Sequence, residues 1–554
     1  MWEILYLKNL PLLGTLLNKK TLILLLVAAI IIGSIFAYYT LFSVKKVKTV
    51  VYAYVDSITG IDPSLEFDTG LIILGVVYEP LLYYNPETGK FIPALAESWE
   101  SNANHTLWTF HLRHNAVFHD GTPVTAEAVK FSIERALKSY LEEGEGAGYI
   151  WESVKEIKVI DDYTIQFILK RPERLDLIAA ASYGAYIYSP KVLEKSGAKN
   201  PLDPALRNWF DSGHEAGSGP YVIEYYNPES EIRLKKFDKW WGWSVVNNPD
   251  APDVVIIKII TDRTSQLNGL RSGQIDIATG IPLGEVKKLV NEGFKVKLET
   301  TYHNYVLMFN TRRYPTNITE FRLAIAHSIP WDKVVNLALK GFGRAGSGII
   351  PYAFPGHLNN LTYTYNKTLA VELLKKAGLY GKELKIQIMV EGDYENEVTF
   401  AQILKGELDE LGIEVEIITA PWDQIVEVGP KVWEKPEEVP HLMINDWWPT
   451  IPSPYDYLYN LLHSDVKEWN WAGYDNQYFN QLIEEAWNLE GRDYDKAMEL
   501  YVQAQLIIYR DAVAINLWDE IQPYVYSSKI EIPDEALNPL YMFVIFFQYV
   551  KVKS

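Results

Sequence analysis

Between Thr21 and Val44 the chain runs for 24 residues, TLILLLVAAIIIGSIFAYYTLFSV, without one charged side chain. A helix needs about 20 such residues to cross the ~30 Å hydrocarbon layer of a bilayer. A cleaved secretory signal has a shorter apolar core of about 7–15 residues and a small-x-small cleavage site. Neither is evident here. Residues 1–44 are therefore expected to form an uncleaved signal anchor, a single-pass transmembrane helix in the cell membrane with the body on its extracytoplasmic side. Lysines flank both ends (Lys8, Lys19 and Lys20 before; Lys45, Lys46 and Lys48 after), so charge bias sets no orientation. The glycosylation patterns at Asn104, Asn317, Asn360 and Asn366 agree with an exported body. Tyr541–Val550 is too short for a helical span and is expected to be a buried strand.

At 554 residues the chain exceeds one ordinary core, so two or three packed units are expected, and 48% apolar residues can fill them. The absence of cysteine excludes disulfide scaffolds, thiol nucleophiles and a lipid-modified N-terminal cysteine. A net charge of −19 repels phosphate backbones, which argues against nucleic acid as a partner. Strand and helix patterns alternate irregularly. Lys48–Tyr54 and Trp108–Arg113 read as strands, and Thr125 is the expected cap of a helix from Ala126 to about Leu141. Helix then strand follows at Leu369–Ala377 and Leu384–Val390, and again at Glu397–Leu411 and Val415–Ile418. Tyr478–Leu489 and Tyr494–Tyr509 are the last long helical patterns. This order predicts the α/β class, with sheets flanked by helices.

Motifs for catalysis are missing. His214-Glu215 is not followed by a second histidine at metalloprotease spacing, and Gly217-Ser-Gly219 is a turn before Pro220. Gly341-Phe-Gly-Arg-Ala-Gly346 matches a dinucleotide fingerprint, but a helical pattern precedes it, where that motif needs a strand. It reads instead as a flexible loop bordering a cleft, which makes Gly343 a candidate there. His105, His111, His114 and His119 cluster in sequence, yet His111 and His114 would point to opposite faces of an extended segment, so no metal is expected. No cofactor is expected either. The conspicuous feature is aromatic: Trp422, Trp433 and then Asp446-Trp-Trp-Pro-Thr-Ile-Pro-Ser-Pro-Tyr-Asp-Tyr457. Prolines at 449, 452 and 454 predict a stiff loop carrying Trp447, Trp448 and Tyr455, a wall for a ligand rather than regular structure.

Seven spaced segments resemble a known family. They are Tyr78–Gly89 with Pro93–Trp99, Trp108–Arg113 with His119–Thr125, Gly217–Tyr221, Leu270–Asp276 and Phe309–Thr311, in that order. They resemble the solute-binding proteins of family 5, which serve ABC importers of oligopeptides, dipeptides, nickel complexes or oligosaccharides. The resemblance implies a two-lobed clamp with a discontinuous first lobe. Lobe 1 would span 45–285 and return at 515–554, with an inserted subdomain near 86–180, and lobe 2 would span 286–514. Ligand would close the hinge between them. Peptide-binding members carry a Trp-x-x-Asp element whose carboxylate pairs with the ligand's ammonium; here Trp447-Trp-Pro-Thr450 places Thr at that position. The ligand candidates are thus Trp447, Trp448, Thr450, Asp446, Tyr455 and Trp422, with Asn310, Tyr305, Tyr78 and Gly343 in addition.

The expected function is extracytoplasmic capture of peptides by a non-enzymatic, monomeric binding protein. It would deliver them to ABC permease subunits and their ATPases. An oligosaccharide is the alternative ligand, favoured by Thr450. A membrane-anchored secreted hydrolase is the rival from another class, and a structural surface protein is a third.

Overall fold

The computed structural model describes residues 27–29, 31, 47–541 and 543–553. The chain divides into a segment ending at Lys48 and a compact body from Thr49 to Ser554. Among the described residues no helix is long and apolar enough to cross a membrane. The expected anchor, Thr21–Val44, lies outside those residues except for 27–29 and 31, which are helical.

The body is organised on one ten-stranded mixed sheet. Its order is Ile413–Ala420, Leu384–Glu391, Leu442–Trp447, Lys295–Phe309, Ala514–Tyr526, Ile277–Ala278, Thr49–Tyr54, Val254–Ile259, Glu231–Lys236 and Tyr221–Asn227. Two long antiparallel strands at its centre join the halves. The first part of Lys295–Phe309 pairs only with the end of Ala514–Tyr526, which in turn meets Ile277–Ala278. The later part, from Asn304 on, pairs also with Leu442–Trp447. Register shifts interrupt the long pairing between Thr300 and Asn304 and between Tyr305 and Val306. Such irregularities bend and twist a strand locally, and these lie where the chain passes from one half to the other.

Each half follows from its residues. Thr49–Tyr54 runs parallel to Val254–Ile259 and is buried almost throughout, as expected of a β-branched and aromatic strand covered on both faces. In the other half Leu384–Glu391 runs parallel to Ile413–Ala420, and helix Glu395–Asp409 makes the crossover. Phe400, Leu404 and Leu408 of that helix pack on Ile386, Ile388 and Val415 in a core of their own. A second, larger core joins Val50, Tyr52 and Tyr221 to Leu458, Phe479 and Tyr501. A separate antiparallel sheet, in the order Ala96–Ser101, Leu107–Leu112, Thr164–Leu169 and Val154–Asp161, falls inside the stretch expected as an insertion.

Several local expectations are corrected. Helix Ala126–Lys138 starts after Thr125, which is extended but makes no side-chain capping bond, and it ends in a π-turn at Ser139–Glu143. The helical pattern expected before Gly341 gives only a short helix, Trp331–Lys333, continued by a π-turn through Ala338. Residues 541 and 543–550 are mostly buried, as expected, but form turns and irregular backbone rather than a strand. Their aromatic rings explain it: Tyr541 and Phe546 pack edge-on against Tyr83, a three-dimensional cluster that an extended strand would not present.

Candidate functional site

Three strands of the sheet end at one place. Tyr54 closes Thr49–Tyr54, Glu391 closes Leu384–Glu391 and Trp447 closes Leu442–Trp447. Around these ends lies a cavity of about 800 Å³ whose lining residues come from both halves of the chain. Crevices outside the carboxyl ends of strands are where open α/β sheets hold ligands, and the volume suits a small one.

One wall is the aromatic segment singled out in the sequence. Asp446, Trp447, Trp448, Tyr455 and Trp422 all line the cavity. The segment is more regular than its prolines predicted. Leu442–Trp447 is a strand, and Pro454 occupies the first turn of helix Pro454–Leu462, whose Ser453 cap accepts from the Tyr455 N–H. Proline is favoured there because that N–H would have no helical partner. Tyr455 is therefore on a helix rather than a loop. It stacks between Tyr459 and Trp487, with ring centroids 4.7 and 4.3 Å away. Asp456, fully buried, ties the segment together. It accepts from Trp447 Nε1 at 3.0 Å and from the Thr450 and Ile451 N–H groups at 3.1 and 3.3 Å. Burial pushes its carboxyl up to about 6, against the pull of those bonds.

Thr450 does not face the ligand space. It is fully buried; its hydroxyl donates to Tyr183 Oη at 2.6 Å and accepts from Tyr149 Oη at 2.7 Å. The expected role of that hydroxyl toward a sugar is corrected accordingly: both of its roles are already used within the protein.

The remaining candidates lie away from the cavity lining. Tyr78 is buried beneath Ala216, whose N–H it accepts. Asn310 donates to the Pro436 and Val439 carbonyls. Tyr305 packs on Trp518 in the core, 5.2 Å between centroids. Gly343 sits in a loop that bridges to strand Ala514–Tyr526 through Ala345 and Trp518; its φ of +122° is open to glycine alone. Tyr78 and Asn310 lie in family-resembling segments, and all four positions build the scaffold rather than the lining.

What sequence reading missed is the rest of the lining and its charge. Tyr54, Asp56 and Asp68 line the cavity together with Glu391 and Tyr394. Burial raises the Asp56 carboxyl, with Arg263 opposing. Burial, then Asp56 and Asp446, push Asp68 at the rim up to about 6. Burial, then Asp446, Asp393 and Asp56, push Glu391 up to about 8. Asp446 holds His303 Nε2 at 2.8 Å. The signal for most of them is positional: Tyr54 and Glu391 close strands of parallel pairs, and Asp56 and Tyr394 follow within three residues.

One group could hold a metal. His463, Asp465 and Glu484 place donor atoms within 4.8 Å of one another. His463 Nδ1 accepts the Asp465 N–H at 3.2 Å, so the ring proton belongs on Nε2, facing Glu484 at 3.3 Å. That arrangement favours a histidine–carboxylate pair over ligation. The four clustered histidines do not converge: His119 bonds Glu215, His114 lies against Tyr163 and His105 against Trp108.

The sequence profile of the family described as "Bacterial extracellular solute-binding proteins, family 5 Middle" matches residues 90–469, more than half of the chain. The chain belongs to this family. It is 29% identical over 494 residues to the probable D,D-dipeptide-binding periplasmic protein DdpA of Escherichia coli (strain K12), covering 87% of this chain and 90% of that protein. To the dipeptide-binding protein of the same organism it is 26% identical, covering 85% and 89%. The structure is similar to the periplasmic binding protein DppA from Helicobacter pylori in complex with peptide STSA, with a TM-score of 0.76 and 25% identity over 91% of this chain and 98% of that one. It shares its fold with NikA from Brucella suis in complex with Fe(III)-EDTA, TM-score 0.78, at 20% identity over 91% of this chain and all of that one. The fold is thus the two-lobed α/β fold of periplasmic binding proteins, and these relatives are binding proteins rather than enzymes.

Proposed function

We propose that this protein captures peptides outside the cytoplasm and hands them to the permease of an ABC importer. The observation that carries the proposal is the cavity of about 800 Å³ at the strand ends, walled by Trp447, Trp448, Tyr54 and Tyr394 and reached from both halves of the sheet. Aromatic faces give large contact area with few rotamers to freeze, which suits ligands of varied sequence. Two relatives bear names that specify dipeptides, and a similar structure holds a peptide. In this reading residues 1–44 anchor a monomer in the cell membrane, lobe 1 spans 45–285 and 515–554, and lobe 2 spans 286–514. The two central strands, with their register shifts, are the hinge. The Thr450 hydroxyl, joined to Tyr149 and Tyr183 from the earlier part of the chain, latches the closed state. The oligosaccharide reading loses the residue that favoured it, because that hydroxyl is engaged.

Calorimetric titration of the full chain with tri- to pentapeptides and with α- and β-linked oligosaccharides tests the proposal. Peptide binding without turnover supports it. Binding by sugars alone, or conversion of either class to product, would sink it.

A further inference from the structure

Among the described residues, the carboxylates of Asp56, Asp68 and Glu391 make no ion pair, and the fourth acid beside them, Asp446, has only His303. Arg263 acts on Asp56 from a distance. Glu397 and Glu520 add further acids behind Asp446. A second observation points the same way. Tyr54 is 2% exposed, lines the cavity, and its hydroxyl makes no hydrogen bond among the described residues, so it is left for whatever enters. Tyr394, Trp448 and Phe543 complete an aromatic surround. Carboxylates and aromatic faces together are the chemistry that holds an ammonium group. Asp56 and Asp68 belong to the segment after strand Thr49–Tyr54, whereas Glu391 and Asp446 belong to the far side of the two central strands. Like charges on opposite sides of a hinged cleft oppose its closure, and a cation between them reverses the sign.

We propose that Asp56, Asp68, Glu391 and Asp446, with Tyr54 and Tyr394, form a subsite for a primary ammonium group of the ligand, and that this cation couples binding to closure. The subsite takes the place of the carboxylate missing at Thr450, and it rests on the peptide reading above. The ammonium can be a peptide's amino terminus or a lysine-type side chain. The full chain is offered three mixed tetrapeptide libraries: lysine- and arginine-free with a free amino terminus, the same library N-acetylated, and an N-acetylated library with one lysine. Mass spectrometry reads what is retained, and calorimetry measures the affinities. Retention of the first or third library with about tenfold or greater loss for the second supports the subsite, and the first against the third identifies the source of the ammonium. Glu391→Gln and Asp446→Asn should each weaken the retained peptide about fivefold or more. Equal retention of the acetylated, lysine-free library, or unchanged affinity in both carboxylate variants, overturns the subsite while leaving the peptide reading intact. Retention of a simple aliphatic diamine but of no peptide upholds the subsite and overturns the peptide reading. Retention of neutral sugars alone overturns both.

Discussion

At Thr450 one hydroxyl joins two tyrosines that lie far earlier in the chain. Thr450→Val removes the acceptor for Tyr149 and the donor to Tyr183 without changing shape, leaving buried hydroxyls unpaired. A loss of about 1–3 kcal/mol in unfolding free energy is expected, measured by denaturant titration. Glu391 carries the opposite lesson. Its carboxyl moves from 4.5 to about 8, through burial and then the charges of Asp446, Asp393 and Asp56, with Tyr394 and Glu397 packed nearby. The folded chain therefore keeps a proton that the unfolded chain has lost between about pH 4.5 and 8, so stability falls as pH rises through that window. Glu391→Gln removes this dependence. Its melting temperature should exceed that of the parent by about 1–3 °C at pH 8, with no difference at pH 4, where both forms are neutral; scanning calorimetry at the two values checks it. The aromatic wall was legible in the sequence because tryptophan pairs among prolines stand out locally. Asp56 and Glu391 were not, since single acids at strand ends look like any others in a chain with 71 acids. The role of Thr450 was misread because its partners are tyrosines brought up by tertiary packing.

Among the elements, strand Ala514–Tyr526 does the most to unite the molecule. It pairs along nearly all of Lys295–Phe309 and reaches Ile277–Ala278 at its far end. Its Trp518 is fully buried between Tyr305 and Phe400. Trp518→Ala should cost about 3–5 kcal/mol by denaturant titration, because the rigid sheet cannot collapse into the space. Alternating and β-branched runs made most of the strands readable. The Glu397–Leu411 helical pattern likewise corresponds to helix Glu395–Asp409. The π-turns after Lys138 and Lys333 were not readable, since helical periodicity says nothing about whether the last turn widens. The turns within 543–550 escaped for a different reason: a run of apolar residues is equally at home in a strand or in an aromatic cluster.

For the molecule as a whole, the family resemblance carried the two-part α/β plan, while the continuous ten-stranded sheet could be seen only once the pairing of distant strands was in hand. Saturating peptide should raise the melting free energy by RT ln(1 + [L]/Kd), about 2.7 kcal/mol at a hundredfold excess over Kd. The central claim is that the cleft closes on a peptide. The absence of cysteine allows a direct test, because two introduced cysteines take dyes uniquely. Glu142 and Gln424 are exposed and adjoin residues lining the cavity from either half of the chain, Tyr140 and Trp422. Energy transfer between dyes on Glu142→Cys/Gln424→Cys should rise on addition of a tetrapeptide shown by calorimetry to bind, and fall again on its removal. Transfer that stays constant while the peptide is bound would contradict the account.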